Sequence, residues 1–114
     1  MARLLTNPAT GAFVLDIDGA PAGLVLTSSV AGEAEILTIG VLPAARGQGG
    51  GRALIEAACA ALAAGGSAVL HLEVSAANLS ALTLYETSGF TRTGLRHRYY
   101  ADGSDAVTMA RPLI

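Results

Sequence analysis

Residues 39–51 read IGVLPAARGQGGG, a short apolar run followed by a proline and a glycine-rich turn. The apolar run begins near Glu35, and its alternation places Leu37, Ile39 and Val41 on one face of a β-strand. Pro43 ends the strand because proline has no N–H to donate to a sheet. Beyond the turn, apolar residues recur at helical spacing as far as the glycine pair at 65–66, and the expected buried stripe is Leu54, Ala58, Ala61 and Leu62. The stretch therefore predicts a strand, a glycine-rich turn and a helix.

Strands are predicted on both sides of this unit. The expected elements are strands over 13–17, 23–27 and 35–42, a helix up to 65, a strand over 68–74 buried on both faces, a helix over 78–88, and strands over 90–95 and 106–110. In the second helix the expected face is Leu79, Leu82 and Glu86. The order β-β-β-α-β-α-β-β predicts one α/β domain over residues 1–114 with a mixed sheet, in which the two strands joined through the first helix are parallel.

Composition excludes several classes of partner. The net charge is −2, and all seven basic residues are arginine. A protein that binds the phosphate backbone of a nucleic acid usually carries an excess of positive charge, which this chain lacks. No apolar run approaches the ~18 residues of a membrane span, and no signal peptide is recognisable. Cys59 is the single cysteine, which rules out an internal disulfide and a cysteine-based metal cluster. We expect a cytoplasmic protein that uses neither metal, nucleic acid nor membrane.

The glycine turn is a candidate phosphate site. It lies between a strand and a helix, and a helix start offers unpaired N–H groups and a partial positive charge. Glycines let a ligand approach the backbone, and Arg46 and Arg52 flank the turn. The absence of a Gly-Lys-Ser/Thr sequence excludes a P-loop nucleotidase. Nicotinamide binding stays open, since Glu73 lies near the end of the next strand, where a dinucleotide fold places its acidic residue.

Three segments carry a family resemblance. Arg46-x-x-Gly49-x-Gly51, preceded by Ile39-Gly40-Val41-x-Pro43, resembles the acetyl-CoA pyrophosphate loop of the GNAT superfamily of N-acetyltransferases. The segment from Leu72 to Phe90, with Glu73, Asn78, Tyr85 and Gly89, looks like the second signature of that superfamily. Arg96-His97-Arg98-Tyr99-Tyr100 is similar to its ribosomal-protein N-terminal alanine acetyltransferases. Together they cover the chain from about residue 13 onward and imply the GNAT fold.

The resemblance assigns roles to individual residues. It implies that the strand through residues 39–41 splays from its neighbour so that the pantetheine arm can pair with it, and that Asn78 contacts this arm or a catalytic water. Asn78 is also a good helix N-cap. The implied acetyl-CoA-binding residues are Ile39, Gly40, Val41, Arg46, Gly47, Gln48, Gly49, Gly50, Gly51, Arg52 and Asn78.

Glu73 is the implied general base and Tyr85 the implied general acid. A carboxylate with an ordinary pKa of about 4.3 is a poor base for an ammonium, so we expect Glu73 to be buried. A phenol with a pKa near 10 protonates a thiolate, whose thiol has a pKa near 8.5, in a nearly balanced step. We expect His71 to be structural, and Arg96 and His97 to belong to a solvated turn that borders the acceptor site.

The implied reaction transfers acetyl from acetyl-CoA to an amine. An N-terminal α-amine is favoured, because its deprotonation at pH 7 costs about 1 kcal/mol against about 4.6 kcal/mol for a lysine side chain. A small-molecule amine and a non-catalytic acetyl-CoA-binding module are the alternatives.

Two features depart from the family pattern. Family members usually carry a strand and two helices ahead of the segment that begins at Phe13, where this sequence has about a dozen residues. We therefore expect the edge of the 13–17 strand and one sheet face to be uncovered, and we expect a homodimer that covers them. Three consecutive glycines at 49–51 should also loosen the first helical turn by roughly 0.5–1 kcal/mol.

Overall fold

A computed structural model of the chain describes residues 2–4 and 11–114. These residues form one mixed sheet with two α-helices and a short 3-10 helix at Pro43–Ala45. The strands are β1 (Ala2–Leu4), β2 (Ala12–Ile17), β3 (Ala20–Val30), β4 (Glu33–Val41), β5 (Val69–Ser75), β6 (Thr91–Arg96) and β7 (Ala106–Pro112), and the helices are α1 (Gly50–Ala64) and α2 (Leu79–Thr87). From β2 onward the predicted order of elements is confirmed. Neither helix in the described residues is long and apolar enough to cross a membrane.

The sheet is ordered β1-β2-β3-β4-β5-β7-β6. Only β4 and β5 pair in parallel, and every other neighbouring pair is antiparallel. The parallel pair is the one joined through α1, as the sequence predicts. A parallel connection requires a crossover helix, and here this helix places the glycine turn at the end of β4.

The edge of β2 is paired, contrary to our expectation. Ala2, Arg3 and Leu4 form β1 and lie opposite Leu15, Val14 and Phe13 in antiparallel register. The prediction that this edge is uncovered was therefore wrong over these residues. A three-residue strand has too short a pattern to be recognised from period-two alternation.

Both helices lie on one face of the sheet. Leu54, Ile55 and Ala58 of α1 are completely buried, as are Val25, Leu70 and Met109 on the strands. Arg111 of β7 links the sheet to both helices. Its Nη1 donates to Glu56 Oε1 of α1 at 2.7 Å and to the Ser88 carbonyl after α2 at 2.9 Å. The hydrogen bond from Arg111 to Glu56 lowers the pKa of the Glu56 carboxyl. Cys59 is buried among these residues, as expected, and burial raises the pKa of its thiol.

The opposite face of the central strands has no helix on it in the described residues. Along β5, Leu70, Leu72 and Val74 are buried, whereas His71 is partly exposed and Glu73 is exposed, so the expected burial on both faces was wrong. A β-bulge between β3 and β4 also breaks the alternation, leaving Leu37 53% exposed while Ile36 is buried. We call the sheet surface that carries Leu37, His71 and Glu73 the open face.

Helix α2 also presents a different face from the one predicted. Leu82 and Tyr85 are its buried residues, whereas Leu79 is 71% exposed and Glu86 is exposed. Leu79 is the first residue of the helix, next to its N-cap Asn78.

Candidate active site

Strands β4 and β5 separate partway along their length. Glu33, Ala34 and Glu35 pair with Val69, Leu70 and His71, and the pairing stops there. Beyond this point β4 stays hydrogen-bonded to β3 as far as Val41, while β5 stays paired with β7. The splayed strand implied by the resemblance is therefore present. Along residues 39–41, no described strand pairs with the β5-facing edge of β4.

A cavity of about 520 Å³ occupies the opening. It reaches from the glycine turn to α2, and its walls include all of the predicted acetyl-CoA-binding residues except Gln48. Gln48 is exposed and lies outside the lining. The lining also includes residues that we did not predict from the sequence, namely Ala45, Val74, Ser80, Ala81 and Leu84. Leu84 and Tyr85 follow Ala81 by three and four residues, a spacing that puts residues on one helix face and could have identified the other two from Tyr85.

The backbone of the glycine turn is open to a ligand at Gly47 and Gly49. Gly47 and Gly49 have φ values of +80° and +77°, and a Cβ at either position would meet no atom within 4 Å. Gly50 and Gly51 instead lie against packed leucine side chains. A Cβ on Gly50 would collide with Cδ2 of Leu15, and one on Gly51 would lie 2.9 Å from Cδ2 of Leu84. The glycines at 50 and 51, which carry an expected entropic cost, thus allow α1 to pack closely against β2 and α2.

The start of α1 has free backbone donors. The first bond into the helix runs from the Ala53 N–H to the Gly49 carbonyl at 3.0 Å, so the N–H groups of Gly50, Gly51 and Arg52 have no partner within the helix. No side chain caps this end, and its first turn has no acidic residue. These three residues line the cavity. A helix start of this kind attracts a phosphate group.

The two arginines flank the helix start and also brace the fold. Arg46 Nε donates to the Val41 carbonyl at 3.1 Å, and Arg52 Nη2 donates to the Thr87 carbonyl of α2 at 3.0 Å. Both side chains are exposed and line the cavity. Each guanidinium has five N–H donors, so both retain donors for an anion.

Asn78 caps α2, as its position in the sequence suggests. Its Oδ1 accepts from the Ala81 N–H at 3.2 Å and from the Ser80 hydroxyl at 3.3 Å. The amide Nδ2 takes no part in the cap, and the residue lines the cavity. The cap and a ligand contact are therefore compatible.

Tyr85 of α2 lines the cavity. It is 6% exposed, and its ring meets Phe90 edge-on with the centroids 5.8 Å apart. Burial raises the pKa of the phenol, and Tyr100 adds to the effect. Tyr85 lines the cavity that the second signature implies, and its phenol is protonated at neutral pH, as for an ordinary tyrosine.

Glu73 is accessible, not buried as we expected. It lies on the open face, next in sequence to Val74, whose side chain lines the cavity on the other side of β5. Its Oε1 forms an ion pair with Arg96 Nη2 at 3.2 Å. The expectation was wrong because no described helix covers this face of β5. His71, on the same face, pairs with Glu33 at 3.2 Å, which fits its predicted structural role.

The β6–β7 loop borders Glu73. The guanidinium carbon of Arg96 lies 5.5 Å from the ring centroid of Tyr99, and the rings of Tyr99 and Tyr100 meet edge-on at 5.2 Å. Partial burial raises the pKa of Tyr100, and the negative charge of Glu73 and the neighbouring Tyr99 raise it further. Tyr100 is therefore within electrostatic range of both predicted catalytic residues, which its sequence position alone does not reveal.

A glycine turn beside a splayed parallel strand pair, with the buried Tyr85 phenol in the same cavity, fits an extended ligand that carries phosphate. Residues 1–90 match the Acetyltransferase (GNAT) family. The chain belongs to the GNAT acetyltransferase family, and it is an acetyl-CoA-dependent N-acetyltransferase. This finding disfavours the nicotinamide alternative.

Relatives and solved structures agree with this assignment. The chain is 41% identical over 104 residues to the [Ribosomal protein bS18]-alanine N-acetyltransferase of Escherichia coli K12, covering 89% of this chain and 70% of the relative. The crystal structure of the ribosomal-protein-S18-alanine N-acetyltransferase from Escherichia coli superimposes with a TM-score of 0.86 at 39% identity, covering 95% of this chain and 72% of that one. Nourseothricin acetyltransferase also matches, with a TM-score of 0.86 at 34% identity, covering 94% of this chain and 67% of that one.

Proposed function

We propose that this chain acetylates the α-amine of a peptide or protein N-terminus. The observation that carries the proposal is the placement of two proton-transfer groups on opposite sides of β5, with Tyr85 in the cavity and Glu73 on the open face. A cosubstrate in the cavity and an acceptor on the open face would then meet at the point where β4 and β5 part. The bS18-alanine N-acetyltransferase activity of the Escherichia coli relative supports this choice of acceptor.

The residues of the cavity fit acetyl-CoA. We assign its pyrophosphate to the free N–H groups at residues 50–52 and to Arg46 and Arg52, because these are the anion-binding groups of the lining. We assign the pantetheine arm to the unpaired edge of β4 at residues 39–41 and to Asn78. When bound, acetyl-CoA supplies the acetyl thioester and a thiolate leaving group.

The proton transfers are assigned by position. Tyr85 faces the cavity and holds its proton at neutral pH, so it can protonate the departing sulfur. Glu73 is in contact with solvent, so it can accept the proton of the acceptor ammonium directly or through a water. An α-amine demands little of the base, since removing its proton at pH 7 costs only about 1 kcal/mol.

A small-molecule amine is the second candidate acceptor. The similarity to nourseothricin acetyltransferase and the accessibility of the open face both favour it. The family assignment disfavours the other alternative, a non-catalytic acetyl-CoA-binding module. CoA release measured over matched peptide and small-amine panels distinguishes the two acceptors. Release with N-terminal peptides alone supports the proposal, and release with small amines alone contradicts it.

Acetyl-CoA should raise the melting temperature of the protein. At a concentration 100-fold above Kd, binding adds about 2.7 kcal/mol to the free energy of unfolding. Arg46→Glu should abolish most of this shift, because it places a negative charge beside the pyrophosphate site. Arg98→Glu makes the same charge change outside the cavity and should retain the shift. An unchanged melting curve of the wild type at millimolar acetyl-CoA would contradict the assignment of the cavity.

We also retain a homodimer and a cytoplasmic location as predictions. The open face supports association, because it exposes Leu37 beside the proposed acceptor site. Size-exclusion chromatography with light scattering measures the mass directly. A monomer at all micromolar concentrations would contradict the homodimer.

A further inference from the structure

We propose that Ser104 is a positioning residue for acceptor binding, because it ties the β6–β7 loop (residues 97–105) to the end of β5 beside Glu73. It does so through a chain of hydrogen bonds that also includes Ser75 and Asp102. The inference rests on the proposed function, since it takes the surface around Glu73 as the acceptor site. The observation that carries it is the direction of the chain, which the number of protons on the two hydroxyl groups fixes.

All donors of the chain point toward one carboxylate. The Ser104 hydroxyl donates to Asp102 Oδ1 at 2.6 Å, a short hydrogen bond to a charged acceptor. A serine hydroxyl has one proton, so the 2.8 Å contact between Ser75 Oγ and Ser104 Oγ is a hydrogen bond that Ser75 donates. Ser75 Oγ in turn accepts from the Ala77 N–H at 3.2 Å. The hydrogen bonds from the hydroxyl and the N–H of Ser104 also lower the pKa of Asp102, which keeps the acceptor at the end of the chain ionised.

The chain joins the strand that carries Glu73 to the turn that carries Tyr100. Ser75 is the last residue of β5, two positions after Glu73, so its side chain lies on the open face with that of Glu73. The Tyr100 N–H donates to the Ser104 carbonyl at 3.2 Å, and Tyr100 is within electrostatic range of Glu73. The hydroxyl of Ser104 therefore holds this part of the loop beside the proposed acceptor site.

The loop has little packing to hold it closed. All of residues 97–103 except Tyr100 are exposed. Opening of such a loop costs little free energy, so the loss of one hydrogen bond raises the open population. If the acceptor binds only the closed loop, its apparent affinity falls with the closed fraction. Among the described residues, none from this loop lines the cavity for acetyl-CoA, so the affinity for acetyl-CoA should not change.

Thr93 provides a matched control. Its Oγ1 lies 3.0 Å from Oγ1 of Thr108, which is also a contact between two hydroxyls in this sheet. That pair joins β6 to β7 and does not involve residues 97–105. Thr93→Val removes one hydroxyl and keeps the shape of the side chain, so it tests for the loss of a hydroxyl pair as such.

The kinetic experiment measures CoA release and gives KM for an acceptor peptide with an N-terminal Ala and KM for acetyl-CoA. We expect Ser75→Ala and Ser104→Ala to raise the KM for the peptide about threefold to tenfold, with kcat, the KM for acetyl-CoA and the melting temperature nearly unchanged. The double variant should equal Ser104→Ala, because without Ser104 the Ser75 hydroxyl no longer reaches the loop. Ser75→Thr, which keeps the hydroxyl, and Thr93→Val should retain the wild-type KM.

Limited digestion with trypsin measures the opening of the loop without any acceptor. Arg98 lies in the loop and Arg46 in the glycine turn, and both are exposed. Cleavage follows the population of the open form, so cleavage after Arg98 should become about threefold to tenfold faster in both alanine variants and stay unchanged in Thr93→Val. Cleavage after Arg46 is the internal reference and should be the same in all variants.

A wild-type KM for the peptide in both alanine variants, or an equal rise in the KM for acetyl-CoA, would overturn the inference and leave the proposed function standing. A rise of the same size in Thr93→Val would also overturn it, because the loss of any hydroxyl pair would then have this effect. If the wild type releases CoA with small amines and with no peptide, the proposed function is wrong. An unchanged KM for the amine and unchanged cleavage after Arg98 in Ser104→Ala would then overturn the inference as well.

Discussion

Tyr85→Phe should lower kcat by about 10²–10⁴-fold while leaving the KM for acetyl-CoA nearly unchanged. The variant removes only the hydroxyl, so the packing of the ring on Phe90 is kept. The lost group is the proposed proton donor to the sulfur, which acts in the transition state and contributes little to ground-state binding. Steady-state CoA release at saturating acetyl-CoA measures the effect.

Tyr99→Phe is the control for this variant. Tyr99 is 52% exposed on the neighbouring loop, and its phenol is outside the cavity lining. We expect it to retain kcat within a few-fold. If Tyr85→Phe keeps wild-type turnover with an unchanged melting temperature, then the assignment of Tyr85 as the acid is wrong, although the family assignment would stand.

Glu73→Gln should depress the rate at neutral pH by about fivefold to tenfold, and the rate should partly recover at high pH. The recovery follows from the acceptor, since an α-amine above its pKa of about 7.7–8.0 is already neutral and no longer needs a base. The pH dependence of kcat/KM for the acceptor peptide measures both effects. Recovery of the rate at high pH is specific to loss of a base, because a merely misfolded variant would not regain activity as the pH rises.

Two variants separate this effect from the loss of an ion pair. Glu33→Gln removes a carboxylate that pairs with His71 at 3.2 Å on the same open face, and it should leave the rate unchanged. Arg96→Gln breaks the ion pair but keeps the Glu73 carboxylate, so it should retain turnover of the acceptor peptide. Wild-type activity of Glu73→Gln across the pH range would show that another group, or water alone, takes the proton.

Most elements of the fold could be predicted because their signals are local. Pro43 ends β4, Asn78 caps α2, and the spacing of Leu54, Ala58 and Leu62 matches the buried side of α1. Each of these signals depends on neighbours within one or two turns of chain. The glycine turn could also be predicted locally, because its residues are contiguous and glycine permits its positive φ angles.

The sequence by itself determined the order of the elements from β2 onward, the turn at the start of α1 and the residue types available for proton transfer. Only the tertiary structure decided which of these residues are buried and which are in contact with each other. Glu73 is accessible because no described helix covers its side of β5, and Leu37 is exposed because a bulge against β3 breaks the alternation. Gly50 lies against Leu15, which is 35 positions earlier in the chain. Side-chain alternation is a property of a single strand, whereas burial depends on what packs against that strand, and those contacts come from segments distant in the sequence.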